Sequence, residues 1–393
     1  MIGISRLYCA TVDPSEALRY GRGAKTPPHL LQFAADKRPV VVWNVTRRCN
    51  LSCRHCYSNS DCGSYEELST AQAEEMISDL ARYGSPVLLF SGGEPLLRPD
   101  LFHLIRYAKK AGMRAALSTN GTLITAQVAS ELKKCELSYV GVSLDGIEST
   151  NDSFRGVNGA FDAALNGIRN CRDAGVKVGL RFTLNKHNYT DVPSIFDLLE
   201  KENIPRVCFY HLVYSGRASS LSGDDLSHEQ TRNIVNLIID KTADFHFRNI
   251  SKEVLTVDNH ADGVYLYLRL RRENSPLAEP ALKLLQLNGG NNSGVAIGCI
   301  SWDGSVYADQ FWRTRPLGNI RQRPFSSIWS DSAHPLLSPL RDRKLFLKGR
   351  CGSCVWKDIC NGNFRARAEA VYNDIWAQDP ACFLTDEEIS VRV

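Results

Sequence analysis

Several features that would assign this sequence to other classes of protein are missing from it. It contains no apolar run of the roughly 18–20 residues that a membrane-spanning helix needs, so no membrane span is expected. The formal net charge is only +4 over 393 residues, which gives no electrostatic reason to expect nucleic acid as a partner. The segment Met1–Tyr8 lacks the charged stretch, apolar core and cleavage site of a signal peptide. These absences predict a cytoplasmic protein.

Cysteine, in contrast, is abundant and unevenly distributed. Thirteen cysteines without a signal peptide are typical of a reducing compartment, and an odd number argues against a fully paired disulfide framework. Two tight groups, at positions 49–56 and 351–360, indicate metal binding. We expect most of the scattered cysteines to be buried small apolar side chains, namely Cys9, Cys62, Cys135, Cys171 and Cys208.

Between residues 39 and 213, short apolar segments rich in β-branched residues alternate with amphipathic ones. This alternation predicts six strands, from 39–46 to 206–213, with helices between them. Ser69 and Gln72 have the spacing of a capping box at the start of the first helix, and Gly84 is placed to end it. Repeated strand–helix units predict an α/β fold with a parallel sheet, whose ligands bind at the carboxyl ends of the strands.

After about residue 215 the strand–helix rhythm changes. Residues 221–250 have the pattern of a long polar helix, and Asp303-Gly304 within 302–309 predicts a hairpin with a type I′ turn. The second cysteine group follows this hairpin. We therefore expect four parts: an N-terminal extension at 1–36, a core at 37–220, a helical connecting region at 221–290 and a small domain at 291–393.

The first cysteine group contains Cys49, Cys53 and Cys56 in the spacing CxxxCxxC, directly after a predicted strand. Thiolates at this density hold zinc or an iron–sulfur cluster, and structural zinc sites usually have four ligands. An iron–sulfur cube held by three cysteines would leave one iron free for a substrate or cofactor, and the aromatic ring of Tyr57 could cover that open side. A zinc site that lacks one ligand is the alternative.

This spacing resembles that of the radical S-adenosylmethionine (radical SAM) superfamily, and the resemblance covers roughly residues 37–215. It implies a partial (β/α)6 TIM-like barrel and a [4Fe–4S] cluster whose free iron binds S-adenosylmethionine. It also implies reductive cleavage of that cofactor to a 5′-deoxyadenosyl radical, which abstracts a hydrogen atom from the substrate. A low-potential electron donor such as ferredoxin or flavodoxin would then be a partner.

The segment Ser-Gly-Gly-Glu-Pro after the second predicted strand resembles the family motif that receives the methionyl amine. Gly92 and Gly93 would let backbone carbonyls approach the ligand, and Glu94 would place negative charge near an ammonium group. Formation of an ordinary turn is the alternative.

Polar residues near the ends of later strands resemble the family's contacts to the ribose and the methionyl carboxylate. Asn120, Ser143 and Asp145 lie at such strand ends, and Arg155 is a candidate bidentate partner for the carboxylate. Helix capping and turn formation are the alternative explanation. Further candidates to line the same opening are Arg181, Asn185 and His211.

The second cysteine group has the spacing CxxC-x5-C and is followed by one more distant cysteine. Its members are Cys351, Cys354, Cys360 and Cys382. They resemble half of the SPASM extension, in which such residues hold an auxiliary [4Fe–4S] cluster, and zinc is the chemical alternative. Phe364 stands where a complete extension has its next cysteine, so one auxiliary cluster is expected. Cys299 is then a spare or substrate-side thiol.

Segments of the N-terminal region resemble one subgroup of the superfamily, the tetrapyrrole-modifying AhbC-like and NirJ-like enzymes. These segments are Met1–Tyr8, Leu18–Arg22, His29–Phe33 and Pro39–Asn44. The resemblance implies removal of acetate side chains from 12,18-didecarboxysiroheme, an iron tetrapyrrole, to give Fe-coproporphyrin III. Removal of propionate side chains toward haem d1 is the second activity of the subgroup. Outside the subgroup, the sequence is also compatible with a SPASM-type peptide maturase or with a non-enzymatic iron–sulfur protein.

A tetrapyrrole with several carboxylates needs cationic anchors and flat apolar or aromatic walls. Candidates around the first cysteine group or just before it are Arg47, Arg48, Arg54, His29, His55 and Trp43. Solvated charges and a core tryptophan are the alternative for these residues.

Overall fold

The computed structural model describes residues 1–11 and 38–391. The segments Leu18–Arg22 and His29–Phe33, on which part of the subgroup resemblance rests, lie outside these residues. None of the described helices is long and apolar enough to cross a membrane.

Eleven described strands form one sheet. They are β1 (Ile2–Gly3), β2 (Val40–Asn44), β3 (Val87–Ser91), β4 (Arg114–Thr119), β5 (Tyr139–Ser143), β6 (Val178–Leu184), β7 (Arg206–His211), β8 (Glu253–Val257), β9 (Ile297–Ile300), β10 (Ser305–Tyr307) and β11 (Gly318–Asn319).

Sixteen α-helices lie in the described residues. They are α1 (Ile4–Cys9), α2 (Thr70–Tyr83), α3 (Leu101–Lys110), α4 (Ala126–Lys134), α5 (Ser149–Arg155), α6 (Ala160–Asp173), α7 (Val192–Lys201), α8 (His228–Phe247), α9 (Ala261–Arg272), α10 (Ala278–Asn288), α11 (Phe325–Trp329), α12 (Leu337–Arg341), α13 (Gly349–Ser353), α14 (Lys357–Cys360), α15 (Arg365–Tyr372) and α16 (Asp386–Ser390).

The strand order is β1-β8-β7-β6-β5-β4-β3-β2-β9-β10-β11. Strands β2 to β8 are parallel to one another and β9 is parallel to β2, whereas β1, β10 and β11 are antiparallel to their neighbours. The predicted α/β class and the six parallel strands β2 to β7 are confirmed, in the partial-barrel arrangement that the resemblance implied.

The parallel sheet continues beyond the six predicted strands. Strand β8 (Glu253–Val257) pairs with β7 in parallel, within the 221–290 region that the sequence pattern describes as helical. The long helix predicted at 221–250 is shorter, α8 at His228–Phe247, because Ser227 and Gln230 form a capping box at its start. Strand β8 is therefore the seventh strand of the parallel series that begins at β2, and this series extends beyond residue 220.

Local signals fix the bounds of the helices that cover the sheet. In α2, Ser69 accepts a hydrogen bond from the backbone N–H of Gln72 and Gly84 ends the helix at φ +87°, as predicted. The apolar face of this helix is buried in the core, with Ala73, Met76, Ile77 and Leu80 on it.

Residues 1–11 extend the sheet beyond β8, because β1 pairs with β8 and helix α1 contacts α8.

The predicted hairpin is present, but the prediction of a type I′ turn was wrong. Strands β9 and β10 pair through Ile300 and Val306. Of the two residues Asp303 and Gly304, only Gly304 has a positive φ, at +87°. A type I′ turn needs a positive φ at both central residues. The turn instead spans Ser301 to Gly304, closed by the hydrogen bond from the Gly304 N–H to the Ser301 carbonyl.

A buried ion pair connects the C-terminal region to the ends of the core strands. Arg367 on α15 and Asp379 have no exposed side-chain surface and are joined at 2.9 Å. The same guanidinium donates to the carbonyls of Leu212, after β7, and Asp258, after β8, at 3.1 and 2.6 Å. Burial would lower the pKa of Arg367, but Asp379 raises it above its usual value. The guanidinium is therefore charged, and each of its three nitrogens donates at least one hydrogen bond.

We predict that Arg367→Ala lowers the free energy of unfolding by roughly 3–5 kcal/mol, because it leaves the Asp379 carboxylate buried and unpaired. The control is Arg248→Ala, which removes exposed ion pairs with Asp244 and Glu200 and should cost much less. Chemical denaturation of both variants measures the difference. Equal costs for the two variants would contradict a structural role for the buried pair.

Candidate active site

A cavity opens among the carboxyl ends of the parallel strands. Residues from β2, β3, β4, β5, β6 and β7, and from the loops that follow these strands, form its wall. The predicted site residues on this wall are Cys49, Cys53, Cys56, Tyr57, Gly92, Gly93, Asn120, Ser143, Arg155, Arg181 and His211. The structure thus brings residues more than 150 positions apart in the sequence around one space.

Three segments distant in sequence hold the cysteine loop in place. The N–H groups of Gly93 and Glu94, after β3, donate to the carbonyls of Thr46 and Arg48, both at 2.8 Å. The carbonyls of residues 154 and 155, at the end of α5, accept from the N–H groups of residues 54 and 52. The third segment contains Arg217, which sequence reasoning missed.

Arg217 follows β7 and contacts the cysteine loop through backbone and side chain. Its N–H donates to the Cys56 carbonyl at 3.0 Å, its Nε to the Cys53 carbonyl at 2.8 Å and its Nη1 to the Ser60 carbonyl at 2.8 Å. Three carbonyls of one loop thus point at a single residue. No local pattern marks Arg217, because its role depends on tertiary packing.

The two glycines after β3 are required by the cysteine loop itself. A Cβ added to Gly93 would lie 2.1 Å from the Arg48 carbonyl oxygen, and one added to Gly92 would lie 2.6 Å from that of Thr46. Gly92 also has φ +145°, which L-residues rarely adopt. Both positions lie on the cavity wall, so their lack of a side chain serves the packing of the loop as well as access to the cavity.

Glu94 lies behind the cavity wall rather than on it. It has no exposed surface, and its two carboxylate oxygens accept from the Thr119 hydroxyl at 2.7 Å and from the N–H groups of Leu96 and Asn120 at 3.1 and 2.9 Å. Burial raises the pKa of Glu94, although these hydrogen bonds lower it. The carboxylate therefore ties the end of β3 to the end of β4.

Asp145 is also fully buried behind the wall, where it joins two residues that are on it. Its Oδ2 lies 2.5 Å from Arg155 Nη2 and 3.2 Å from His55 Nε2, and its Oδ1 accepts from the Thr183 N–H at 2.7 Å. Arg155 Nη1 in turn lies 3.6 Å from the Cys53 sulfur. Asp145 thus fixes the position of a guanidinium beside a cysteine. Asn185 lies off the wall as well, with its amide bonded to the Thr183 carbonyl.

Tyr57 contributes its ring to the cavity wall while its hydroxyl is bonded beneath it. The hydroxyl donates to Asn44 Oδ1 at 2.8 Å and lies 3.2 Å from Ser91 Oγ, at the ends of β2 and β3. The ring packs edge-on against Phe311, with centroids 5.1 Å apart. Burial raises the pKa of Tyr57 to about 12, so the hydroxyl is protonated. The hydrogen bonds of the hydroxyl and the packing against Phe311 therefore fix the position of the Tyr57 ring.

The three thiols of this loop differ in their environment. Burial raises the pKa of Cys49 to about 12 and also raises that of Cys53. At Cys56 burial acts in the same direction, but hydrogen bonds from Ser58 and from the Ser60 N–H lower the pKa below its usual value. Three buried thiols that face one cavity are stable as thiolates only beside a positively charged group, which is the environment that a metal centre provides.

Four residues from β6, β7 and the segment after β8 also line the cavity: Arg181, Tyr210, His211 and Asp258. The guanidinium of Arg181 lies over the Tyr210 ring at 4.7 Å and donates to Ser118 Oγ. Asp258 follows β8 with φ +67°, and its buried Oδ2 has no hydrogen-bond partner. Sequence reasoning missed Asp258 because it did not predict β8.

The candidate substrate anchors near the cysteine loop are mostly not on the wall. Trp43 is fully buried in the core, beneath the guanidinium of Arg98 at 5.2 Å and beside Phe90. Arg47 packs over the Tyr65 ring at 4.3 Å. Arg48 and Arg54 are exposed, and His29 lies outside the described residues. Of this set only His55 lines the cavity.

The four cysteines of the second group line a separate, smaller cavity. Burial, followed by the effect of the other three thiols, raises the pKa of Cys360 well above its usual value. Among residues 1–11 and 38–391, no three His, Cys, Asp or Glu side chains are arranged to hold a single metal ion. Both cysteine groups surround cavities instead.

The scattered cysteines follow the prediction with one exception. Cys9, Cys135, Cys171 and Cys208 are buried, whereas Cys62 is exposed, so the prediction for Cys62 was wrong. Its neighbours in the loop around 60–65 are polar, which keeps this segment at the surface. Cys299 is fully buried on β9 and packs against Val42, behind the cavity wall.

Comparison with known proteins places this arrangement in context. Residues 43–199 match the Radical SAM superfamily. The chain is 59% identical to Fe-coproporphyrin III synthase of Methanosarcina barkeri, over 99% of each chain. It is 42% identical to pre-heme d1 synthase of Dinoroseobacter shibae, over 92% of this chain and 90% of that protein. The crystal structure of Streptococcus suis SuiB bound to S-adenosylmethionine superposes with a TM-score of 0.69 at 17% identity, over 89% of this chain and 78% of SuiB, and therefore shows the fold alone.

The buried Asp258 predicts a pH-dependent loss of stability. Burial raises its pKa to about 7 despite the opposing effects of Arg367 and Arg181. A carboxyl whose folded-state pKa lies above its unfolded value near 3.8 contributes stability that is complete below that value. This contribution is lost as pH rises through about 7.

We predict that the wild type loses about 2 kcal/mol of unfolding free energy relative to Asp258→Asn between pH 5 and pH 7, because Asn cannot ionise. Urea denaturation at both pH values measures this difference. Asp173→Asn is the control, since that side chain is 67% exposed and should show no such trend. Parallel pH curves for the wild type and Asp258→Asn would contradict the burial argument.

Proposed function

This chain belongs to the radical SAM superfamily, and we propose that within it the protein is a haem-biosynthesis enzyme that removes the acetate side chains of 12,18-didecarboxysiroheme to give Fe-coproporphyrin III. The observation that carries this proposal is the 59% identity to an Fe-coproporphyrin III synthase over 99% of both chains. Similarity of this extent includes the N-terminal region and the C-terminal cysteine region as well as the core.

Removal of propionate side chains is the second candidate. It is favoured by the 42% identity to a pre-heme d1 synthase over 92% of this chain. The lower identity places it second. A peptide-maturase function has weaker support, since the mycofactocin maturase of Mycobacterium tuberculosis is only 29% identical over 88% of this chain.

The residues on the wall fit a [4Fe–4S] cluster held by three thiolates, Cys49, Cys53 and Cys56, beside an open cavity. When bound, this cluster and S-adenosylmethionine supply a 5′-deoxyadenosyl radical, the species that abstracts hydrogen in this superfamily. Cys53 is buried and Cys49 and Cys56 are half-buried. The Cys56 sulfur lies 3.3 Å from the Ser58 hydroxyl and accepts a hydrogen bond from the Ser60 N–H at 3.4 Å. Such contacts to sulfur tune the potential of iron–sulfur centres.

We assign the contacts to S-adenosylmethionine to the wall beside the cysteine loop. Tyr57, Gly92, Gly93, Asn120 and Ser143 offer an aromatic ring, open backbone and polar groups to a bound amino acid and ribose. Arg155 offers its guanidinium to a carboxylate.

Glu94 and Asp145 would act through neighbours rather than by direct contact. Glu94 orients the backbone of Asn120, at 2.9 Å, and Asp145 holds Arg155, at 2.5 Å. Asp145 also neutralises part of the charge of Arg155, so a bound carboxylate would share the guanidinium with it. Both acids are therefore positioning residues.

The second cysteine group fits an auxiliary [4Fe–4S] cluster with four protein ligands, Cys351, Cys354, Cys360 and Cys382. The Trp356 N–H lies 3.4 Å from the Cys354 sulfur and Arg365 lies 4.0 Å from that of Cys351. A closed set of four thiolates suits electron transfer or structural support rather than substrate binding. Zinc, the chemical alternative, has weaker support, because no three His, Cys, Asp or Glu side chains of the described residues are arranged to hold a single metal ion.

The remaining partners stay predictions. We propose a low-potential electron donor of the ferredoxin or flavodoxin class, because reductive cleavage of a sulfonium requires one electron. A cytoplasmic location is the sequence-based prediction.

Anaerobic incubation of the reconstituted protein with 12,18-didecarboxysiroheme, S-adenosylmethionine and dithionite tests the proposal, with mass analysis of the tetrapyrrole and of 5′-deoxyadenosine. We expect a product that has lost acetate side chains and retains its propionates. Loss of propionates would instead support the second candidate. Unchanged tetrapyrrole together with 5′-deoxyadenosine release would mean that the substrate is wrong.

A matched pair of cysteine variants controls this experiment. Cys53→Ala should lower product formation at least about 100-fold, because it removes one of the three thiolates. Cys62→Ala should retain the activity, because Cys62 is exposed and away from the cavity wall. Equal activity of the two variants would contradict the assignment of the cluster ligands.

A further inference from the structure

One histidine on the cavity wall is held by a buried carboxylate. His211 is the last residue of β7 and is only 5% exposed, and its Nε2 lies 2.9 Å from Asp262 Oδ2. Asp262, in the first turn of α9, has no exposed surface. Its other oxygen, Oδ1, is buried without a hydrogen-bond partner. His211 is therefore the one side chain, among the described residues, to which this carboxylate is hydrogen-bonded.

This arrangement fixes which ring nitrogen of His211 is available to a ligand. If Nε2 carries the proton that it donates to Asp262, the lone pair of Nδ1 is free. No described residue hydrogen-bonds to Nδ1, and the residue contributes to the cavity wall. A histidine whose other nitrogen is oriented by a carboxylate is the usual arrangement of a metal ligand. Among the described residues, no group of three His, Cys, Asp or Glu side chains that includes His211 could hold a metal ion, so a metal bound by His211 would arrive with the substrate.

The second histidine on the wall, His55, has a different environment. Its Nε2 lies 3.2 Å from Asp145, its ring stacks on Phe154 at 4.7 Å, and its Nδ1 is buried within the protein. His55 also lies on the cysteine loop, beside the proposed cluster. His211 instead lies at the end of β7, and Arg181 on the neighbouring strand β6 also lines the cavity and offers a cation for a substrate carboxylate.

We propose that His211 binds the iron of the tetrapyrrole substrate as an axial ligand through Nδ1, with Asp262 fixing the orientation of the ring. This inference rests on the proposed function, because it requires an iron tetrapyrrole in the cavity. The bond would fix the position of the iron and the tilt of the macrocycle within the cavity. It would thereby set which side chain faces the cysteine loop, and Arg181 would bind a peripheral carboxylate on the same wall.

Binding of two probes tests this assignment without turnover. Fe-coproporphyrin III and metal-free coproporphyrin III have the same periphery and differ in the metal, so a contact to iron affects only the first. We expect the wild type to bind the iron compound at least about tenfold more tightly, with a change in its visible absorption and EPR spectra. In His211→Ala the two affinities should become equal and the spectral change should disappear.

Two further measurements separate loss of a ligand from damage to the fold. Added imidazole should restore the spectral change in His211→Ala, because it can occupy the space that the side chain leaves. Asp262→Asn should weaken binding of the iron compound by about 10–100-fold and leave binding of the metal-free compound unchanged.

Each other outcome overturns a distinct claim. If the wild type binds both probes equally, or if His211→Ala weakens both by the same factor, His211 is not an iron ligand, while the proposed function stands on the product analysis. If the wild type binds neither probe and leaves 12,18-didecarboxysiroheme unchanged, the proposed function fails, and the iron contact fails with it.

Discussion

The cysteine loop after β2 contains few backbone hydrogen bonds of its own, and its shape depends on contacts from elsewhere in the chain. Its carbonyls accept from Gly93 and Glu94 after β3 and from Arg217 after β7, and its N–H groups donate to the end of α5. A loop that must present three sulfurs to a cavity cannot also satisfy its backbone internally. The ends of the surrounding strands supply these backbone hydrogen-bond partners. This requirement explains why residues such as Gly92 and Gly93 lie at those strand ends.

The buried carboxylates of the site also hold the segments around the cysteine loop in place. Asp145 and Glu94 have no exposed surface, and each connects two segments whose other atoms form the wall. The cost of burying Glu94 is offset by three hydrogen bonds, and that of Asp145 by one hydrogen bond and the ion pair with Arg155. Arg367 likewise connects the C-terminal cysteine region to the carbonyls after β7 and β8.

Sequence reasoning identified the six strands and the cysteine groups, because these depend on local periodicity and spacing, and the family resemblance supplied nearly half of the residues on the cavity wall. Contact of Glu94 and Asp145 with the cofactor stays a prediction, and a motif does not show that both side chains are buried behind this wall. It missed β8, and with it Asp258 and Asp262, because a strand of five residues after a long helix leaves a weak signal. It also missed Arg217, whose role exists only after the chain has folded.

We propose that the first cysteine group holds a cluster with one position open to the cavity, whereas the cluster of the second group is closed by four thiols. EPR spectroscopy of a reduced, reconstituted Cys351→Ala/Cys354→Ala variant, with and without S-adenosylmethionine, tests it most directly, because only the first cluster remains. We predict about half the wild-type iron content, a spectrum that changes when S-adenosylmethionine is added, and continued release of 5′-deoxyadenosine. A spectrum that S-adenosylmethionine leaves unchanged, with no 5′-deoxyadenosine formed, would contradict the account.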